Sequence, residues 1–378
     1  MAELQDIVVT YGDSYAARHP LNPAQRRALA AIRSCRTAPL GGHVDACDTC
    51  GQLKISYNSC RNRHCPKCRT LTQERWIAAR KADLLNVGYF HWVITLPDPR
   101  NALALQHPRV VYDLLFRAAA KTLTEWAADR RYLGARIGLT AILHTWGQNL
   151  MFHPHLHCVV PGGGLTPAGQ WRAAGKRFFL PVKVLSRKFR GKFLALLQAT
   201  TLEFRGDLAP LRDPAAFRAW LAPLYGRGWV VYCKPPFRDA GRVLEYLGRY
   251  THRVAIANSR IVCVVDGQVT FRWRDYRDGN RQKLMTLEAE EFLRRFLLHV
   301  LPPGFTRIRH YGLLSPRNKT QLRRCQRLTQ TAVSHELLPA TAFELLKDLT
   351  GRDYSLCPAC GVGHLQPTRA TPRMANHA

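Results

Sequence analysis

The side chains able to do chemistry in this sequence stand in three clusters. In Phe152-His153-Pro154-His155-Leu156-His157-Cys158-Val159-Val160, three histidines alternate with Pro and Leu and run into an apolar stretch. Alternation marks a strand, where every second side chain shares a face. His155 and His157 therefore point the same way, about 6–7 Å apart along the backbone. Two imidazoles at that span can bind one metal ion, while Leu156 points into a core. The chain holds 15 histidines in 378 residues, so three within five positions weigh against chance histidines on a polar strand edge.

The second cluster is Glu245-Tyr246-Leu247-Gly248-Arg249-Tyr250-Thr251-His252-Arg253, where Val243, Leu244 and Leu247 have helical spacing. Tyr246 and Tyr250 are four apart and share a helix face. Two core tyrosines would be spaced in the same way, so this motif alone does not separate nucleophiles from packing. The third cluster is cysteine-rich. Cys47-x-x-Cys50 and Cys65-x-x-Cys68 are two knuckles separated by fourteen residues. Two such knuckles supply the four thiolates of a tetrahedral zinc site. Cys35, His43, Cys60 and His64 interleave with them and are candidate ligands of a second, cross-braced zinc, the alternative for His64, beside Cys65, being a hydrogen bond only. Cys357-x-x-Cys360 is a further knuckle, with His364, Cys325 and His335 as candidate partners.

Taken in order, these stretches resemble a known family. A histidine–hydrophobic–histidine strand followed by a Tyr-x-x-x-Tyr helix is similar to HUH endonucleases of the two-tyrosine class. Four stretches narrow the resemblance to the insertion-sequence-ninety-one group of bacterial transposases. They are Ser59-Cys60-Arg61-Asn62-Arg63-His64-Cys65-Pro66-Lys67-Cys68, Leu143-His144-Thr145-Trp146-Gly147-Gln148-Asn149-Leu150, the histidine strand, and Tyr246-Leu247-Gly248-Arg249-Tyr250. The likeness covers roughly residues 20 to 315. It implies an α+β fold, an HUH nuclease domain whose central antiparallel sheet is flanked by helices. It also implies rolling-circle-type transposition, in which single-stranded DNA is nicked and rejoined through a 5′-phosphotyrosine on Tyr246 or Tyr250. A divalent ion, Mg or Mn, is then expected on His155, His157 and a third ligand. His144 is the preferred third ligand, because a short loop returns its strand to the histidine strand; Gln148 is the alternative. A plasmid relaxase or replication initiator would use the same chemistry. A non-enzymatic zinc DNA-binding protein would explain the cysteines and the charge but not the histidine strand.

Composition agrees with a nucleic-acid partner. There are 56 Lys and Arg against 26 Asp and Glu, a formal net charge of +30, and such a balance favours a polyanion. A basic ribosome-associated or membrane-surface protein would carry similar charge. Arg61, Arg63 and Lys67 among the knuckles, and Arg249 and Arg253 beside the tyrosines, are the expected DNA contacts. The DNA expected is mainly single-stranded, as transposon ends and target. No apolar run approaches the roughly 18 residues of a membrane span. The first residues show neither the basic nor the apolar region of an export signal. The expected location is therefore the bacterial cytoplasm, at the nucleoid, where cysteines at this spacing serve metals rather than disulfides.

The elements that must position these groups follow from patterning. Asn22-Pro23 reads as the start of a helix. Residues 70–86 and 108–132 read as helices, 89–97 and 137–145 as strands, and 183–205 as a basic amphipathic helix. Residues 228–233 form a strand, 261–273 a hairpin about Asp266-Gly267, and 286–300 a helix. The expected domains are a helical and zinc-binding module at 1–80, the nuclease domain at 81–305, and a basic, weakly patterned region at 306–378 ending in a disordered tail.

Overall fold

A computed structural model describes residues 2–68, 70–98, 101–175, 182–237, 243, 248, 255–276, 278–332, 339 and 341–372. Helices α1 (Leu4–Arg18) and α2 (Pro23–Arg33) open the chain, followed by the hairpin β1 (Gly42–Cys47) and β2 (Leu53–Tyr57), then α3 (Thr70–Lys81). The start of α2 is set locally. Asn22 Oδ1 accepts from the N–H groups of Ala24 and Gln25, both at 3.0 Å, and Pro23 occupies the first turn. These bonds satisfy donors that a helix start otherwise leaves unpaired.

The middle of the chain runs β3 (Tyr89–Thr95), α4 (Asn101–Gln106), α5 (Pro108–Ala128), β4 (Gly138–Trp146), β5 (Phe152–Pro161), β6 (Gly163–Leu165), β7 (Trp171–Ala173), α6 (Val182–Gln198), α7 (Pro214–Gly226) and β8 (Val231–Phe237). Next come β9 (Ile261–Val265), β10 (Gln268–Asp275), β11 (Arg281–Glu288) and α8 (Ala289–Leu297). The chain continues with β12 (Ile308–Gly312), α9 (Lys319–Leu328), α10 (Ala342–Thr350) and β13 (Leu365–Thr371). Strands and helices are mixed and, among the described residues, every ladder is antiparallel, so the fold is α+β.

The central sheet has five strands in the order β12-β4-β5-β3-β8. His144 stands opposite His155 and Ile142 opposite His157, while Val93 stands opposite His157 and His91 opposite Val159. Opposed residues share a face, so one face carries His91, His144, His155 and His157. The other face carries Leu143, Leu156, Cys158, Val160, Trp92 and Ile94, packed in a large core with α5 and α6. That division is the physical use of the alternation in β5, apolar on the helix side and imidazole on the other.

Two departures from sequence expectation concern the ends of the chain. The region after residue 305 is not unpatterned. β12 is an edge strand of the central sheet, paired with β4. β13 pairs with β1 from Gly42↔Thr371 to Cys47↔Leu365, within the three-stranded sheet β13-β1-β2. The ladder therefore cuts across boundaries drawn at 80 and 305, because backbone pairing joins segments irrespective of their distance along the chain. Likewise α1 and α2 share an apolar cluster with β9, β10 and α8, through Leu4, Ile7, Ile261, Phe271 and Phe292. The helix expected at 286–300 begins only at Ala289, since Arg281–Glu288 continues the hairpin as a third strand. Among the described residues no helix is long and apolar enough to cross a membrane.

Candidate functional site

The hairpin β4–β5 positions the histidines. Between the pairs His144↔His155 and Trp146↔Phe152, β5 has two residues, His153 and Pro154, where β4 has one. This is a bulge, and proline is tolerated there because it has no N–H to give to a ladder. Ligand atoms of His144, His155 and His157 all lie within 4.8 Å of one another, and all three side chains are buried. His155 Nε2 and His157 Nε2 are 3.1 Å apart. The His144 ring is 4.5 Å from that of His157 and stacks on Trp146 at 4.7 Å. Gln148, the alternative third ligand, places its amide 3.3 Å from the Tyr276 hydroxyl. His153 lies within β5, its ring 5.2 Å from that of His155 and its Nδ1 3.5 Å from the Asp98 carboxylate.

Protonation suits metal binding. Burial, reinforced by His153, pushes the His155 imidazole down to about 4. It is therefore neutral near pH 7. Its Nδ1–H donates to the His153 carbonyl at 2.6 Å, which leaves the Nε2 lone pair free. Two ring nitrogens held this close repel unless a proton or a cation lies between them. The spacing matches adjacent ligands about 2.1 Å from one ion, so these residues fit a divalent metal.

His91, on the neighbouring strand β3, joins this cluster without belonging to the alternating histidines of β5. It is buried, and its Nε2 lies 2.8 Å from His157 Nδ1. When His157 offers Nε2 to a metal, its Nδ1 carries the proton and donates it to His91. Such partners orient a ligand and raise its basicity. The signal available in the sequence was a lone histidine inside the apolar run Tyr89-Phe90-His91-Trp92-Val93. His91→Ala is expected to weaken Mn binding about 10- to 100-fold, while His91→Gln, which can still accept, should retain more. Calorimetric titration of both variants checks this, and wild-type affinity in His91→Ala would remove His91 from the site.

Two further histidines belong to this region, His299 buried and His310 half-buried. His299 lies between the Thr145 hydroxyl, 3.2 Å from Nδ1, and the Leu150 carbonyl, 3.0 Å from Nε2. His310 Nδ1 meets the Thr140 hydroxyl at 2.9 Å. Burial pushes each down to about 4, helped at His310 by the charge of Arg80. An unfolded histidine protonates near 6.5. Each depressed group therefore contributes stability present above about pH 6.5 and lost as pH falls toward about 4. Melting temperatures of metal-free protein should drop across that window, and His299→Gln should flatten the slope. A melting temperature level from pH 7 to 5 would contradict this.

The cysteines group differently from their order in the sequence. Cys35, Cys60, Cys65 and Cys68 form one cluster and Cys47, Cys50, Cys357 and Cys360 another. The expected set Cys47, Cys50, Cys65 and Cys68 is therefore split. The reason is the β1–β13 ladder, which carries the C-terminal knuckle to Cys47 and Cys50. His43 and His64 belong to neither cluster. His43 Nε2 lies 3.4 Å from the Asp45 carboxylate, and His64 Nε2 accepts from the Leu301 N–H at 3.3 Å. Two expected DNA contacts also have partners within the protein. Arg63 donates to the Phe305 carbonyl at 2.6 Å, and Lys67 pairs with Glu3 and donates to Gln5 Oε1 at 2.7 Å. Both tie the cysteine loop to its surroundings. Arg61 is exposed.

Tyr246, Tyr250, Arg249 and Arg253 lie outside the described residues. Two neighbours are described, both helical. Val243 is buried with Tyr89, Ile142 and Val159, where Trp76 and Ile77 of α3 also pack. Gly248 faces Ile77 so closely that a side chain there would collide with it.

The structure thus joins an antiparallel sheet bearing three converging imidazoles to four-cysteine clusters, side chains of the kind that can hold metal ions. Residues 138–321 match the family model described as "Putative transposase", and residues 7–96 match the "Transposase zinc-binding domain". The curated protein "Putative transposase y4qJ" of Sinorhizobium fredii is 53% identical over 373 residues, covering 96% of this chain and 94% of its own. The "Transposase for insertion sequence element IS801" of Pseudomonas savastanoi pv. phaseolicola is 30% identical over 290 residues, covering 75% and 68%. The chain belongs to the IS91-type transposases, DNA-processing enzymes. Among solved structures, the conjugative relaxase TrwC with a 27-mer DNA is 16% identical over 47% of this chain and 68% of its own, with a TM-score of 0.25. Metal-free TrwC with oriT DNA is 12% identical over 64% and 72%, with a TM-score of 0.26. This likeness assigns no residue a role.

Proposed function

We infer that this transposase nicks and rejoins single-stranded DNA through a 5′-phosphotyrosine formed on Tyr246 or Tyr250. The tyrosine oxygen attacks the scissile phosphorus and the P–O3′ bond breaks. The 5′ phosphate is left on the tyrosine, the tyrosine proton is lost, and a 3′-hydroxyl is freed. Attack by a 3′-hydroxyl on that phosphotyrosine reverses the step and releases the tyrosine. Bond energy is conserved, so no nucleotide triphosphate is needed. His144, His155 and His157 would hold a divalent ion, which would supply positive charge to offset that of the scissile phosphate. His91 and the His153 carbonyl keep two of those imidazoles in the ligating tautomer. Three imidazoles suit Mn2+ better than Mg2+, which prefers oxygen ligands. Cys35, Cys60, Cys65 and Cys68 hold the zinc of the zinc-binding domain; their sulfurs lie 3.3–3.6 Å apart along three edges.

The observation that carries this reading is the burial of Val243 against Ile142 and Val159, on the face of the sheet that bears the histidines. Val243 precedes Tyr246 by three residues in the sequence. A 3′-labelled single-stranded oligonucleotide spanning an element end tests this reading. The label should become covalently attached to the protein. Nicking that leaves all label on a free 5′-phosphorylated fragment would instead mean hydrolysis, without a tyrosine link.

A further inference from the structure

The two knuckles that meet across the molecule are built alike. In Cys47-Asp48-Thr49-Cys50-Gly51, the Gly51 N–H donates to the Cys47 carbonyl at 3.1 Å, and Gly51 has φ 72°. In Cys357-Pro358-Ala359-Cys360-Gly361, the Gly361 N–H donates to the Cys357 carbonyl at 2.9 Å, and Gly361 has φ 69°. That backbone region favours glycine. Each turn aims N–H groups at sulfur. Thr49 and Cys50 both point at Cys47 Sγ at 3.4 Å, and Gly363 points at Cys360 Sγ at 3.4 Å. Donors so placed favour the thiolate over the thiol.

Between the turns, Cys47 Sγ lies 3.7 Å from Cys360 Sγ, and Cys50 Sγ lies 3.7 Å from Cys357 Sγ. Four thiolates about 2.3 Å from a tetrahedral ion stand about 3.8 Å apart. A disulfide needs about 2.05 Å, so these contacts are not disulfides. The second knuckle is seated firmly on the first. A side chain at Gly363 would run into Cys47 Sγ, Thr49 and Asp48. The His364 N–H donates to Asp48 Oδ1 at 2.8 Å, and the Asp48 N–H donates back to the His364 carbonyl at 3.1 Å. His364 itself is not among the clustered ligands; its Nδ1 lies 3.2 Å from the Ser355 hydroxyl. The ladder β1–β13 continues directly from these turns.

We propose that Cys47, Cys50, Cys357 and Cys360 hold one zinc ion, which makes the C-terminal strand an integral part of the N-terminal module. The matched zinc-binding domain ends at residue 96, so half of this ligand set lies outside it. The site is separate from the cluster of Cys35, Cys60, Cys65 and Cys68, and its ion staples the two ends of the chain together. The ion is structural, since four thiolates leave no open coordination position.

The test counts metal in full-length protein purified without chelator. Elemental analysis and native mass spectrometry should find two zinc ions per chain in the wild type. They should find one in Cys357→Ser/Cys360→Ser and one in Cys47→Ser/Cys50→Ser. Two zinc ions retained by Cys357→Ser/Cys360→Ser would overturn the proposal. A second measurement on the wild type needs no variant to fold. Alkylation followed by peptide mapping should find Cys47, Cys50, Cys357 and Cys360 protected together and released together on chelation. Cys50 is exposed, so its protection reports a ligand rather than burial. Rapid alkylation of Cys357 and Cys360 while Cys47 and Cys50 stay protected would overturn the proposal as well.

Discussion

Replacing either His155 or His157 by Ala is expected to lower DNA nicking by at least about a hundredfold, the loss typical of removing one charge-stabilising group from a transition state. DNA binding should persist, because phosphate affinity comes from many basic side chains and the chain carries 56 of them. The two nitrogens stand 3.1 Å apart, so losing one leaves the ion a much poorer grip. Each variant should melt within a few degrees of the metal-free wild type, which separates chemistry from folding. Nicking at the wild-type rate in Mn or Mg buffer by either variant would sink the metal assignment. His144→Ala should behave like the strand pair. Gln148→Ala should not, since the Gln148 amide is engaged with Tyr276. The two compared side by side decide the third ligand.

The second large effect concerns the tyrosines. The double variant Tyr246→Phe/Tyr250→Phe should form no covalent adduct with a single-stranded end oligonucleotide. Each single variant should retain some. Phe keeps the ring and its packing and removes only the hydroxyl, so loss of the adduct reports on the nucleophile. The reason to expect two competent tyrosines is their four-residue helical spacing. If one is instead a packing residue, one single variant will be inert and the other will keep full cleavage. An adduct that survives in the double variant would exclude both from the mechanism. A tyrosine hydroxyl ordinarily titrates near 10. Cleavage should therefore rise with pH through the neutral range, and a rate that instead falls from pH 6 to 8 would argue against proton loss during attack.

Features with a local cause were legible in the chain itself. Strand alternation repeats every second residue, so the shared face of His155 and His157 needs no knowledge of distant contacts. The cap at Asn22 and the hairpin about Asp266-Gly267 are equally local, each written within four or five residues. A Cys-x-x-Cys turn is local too, and all three such knuckles are visible in the sequence. Which knuckle meets which is not a local property. Cys47 and Cys360 are 313 positions apart, and they meet because β1 pairs with β13, a register that neither strand specifies alone. His91 joins the histidine cluster for a similar reason. Its partner His157 stands on the neighbouring strand, and only the cross-strand pairing brings the two rings together. By sequence, Arg63 and Lys67 beside the knuckles are expected DNA contacts. Their engagement with Phe305, Glu3 and Gln5 follows from how the cysteine loop folds back on residues distant from it or preceding it. Short-range spacing thus specified which side chains could ligate, while long-range backbone pairing decided which of them stand together.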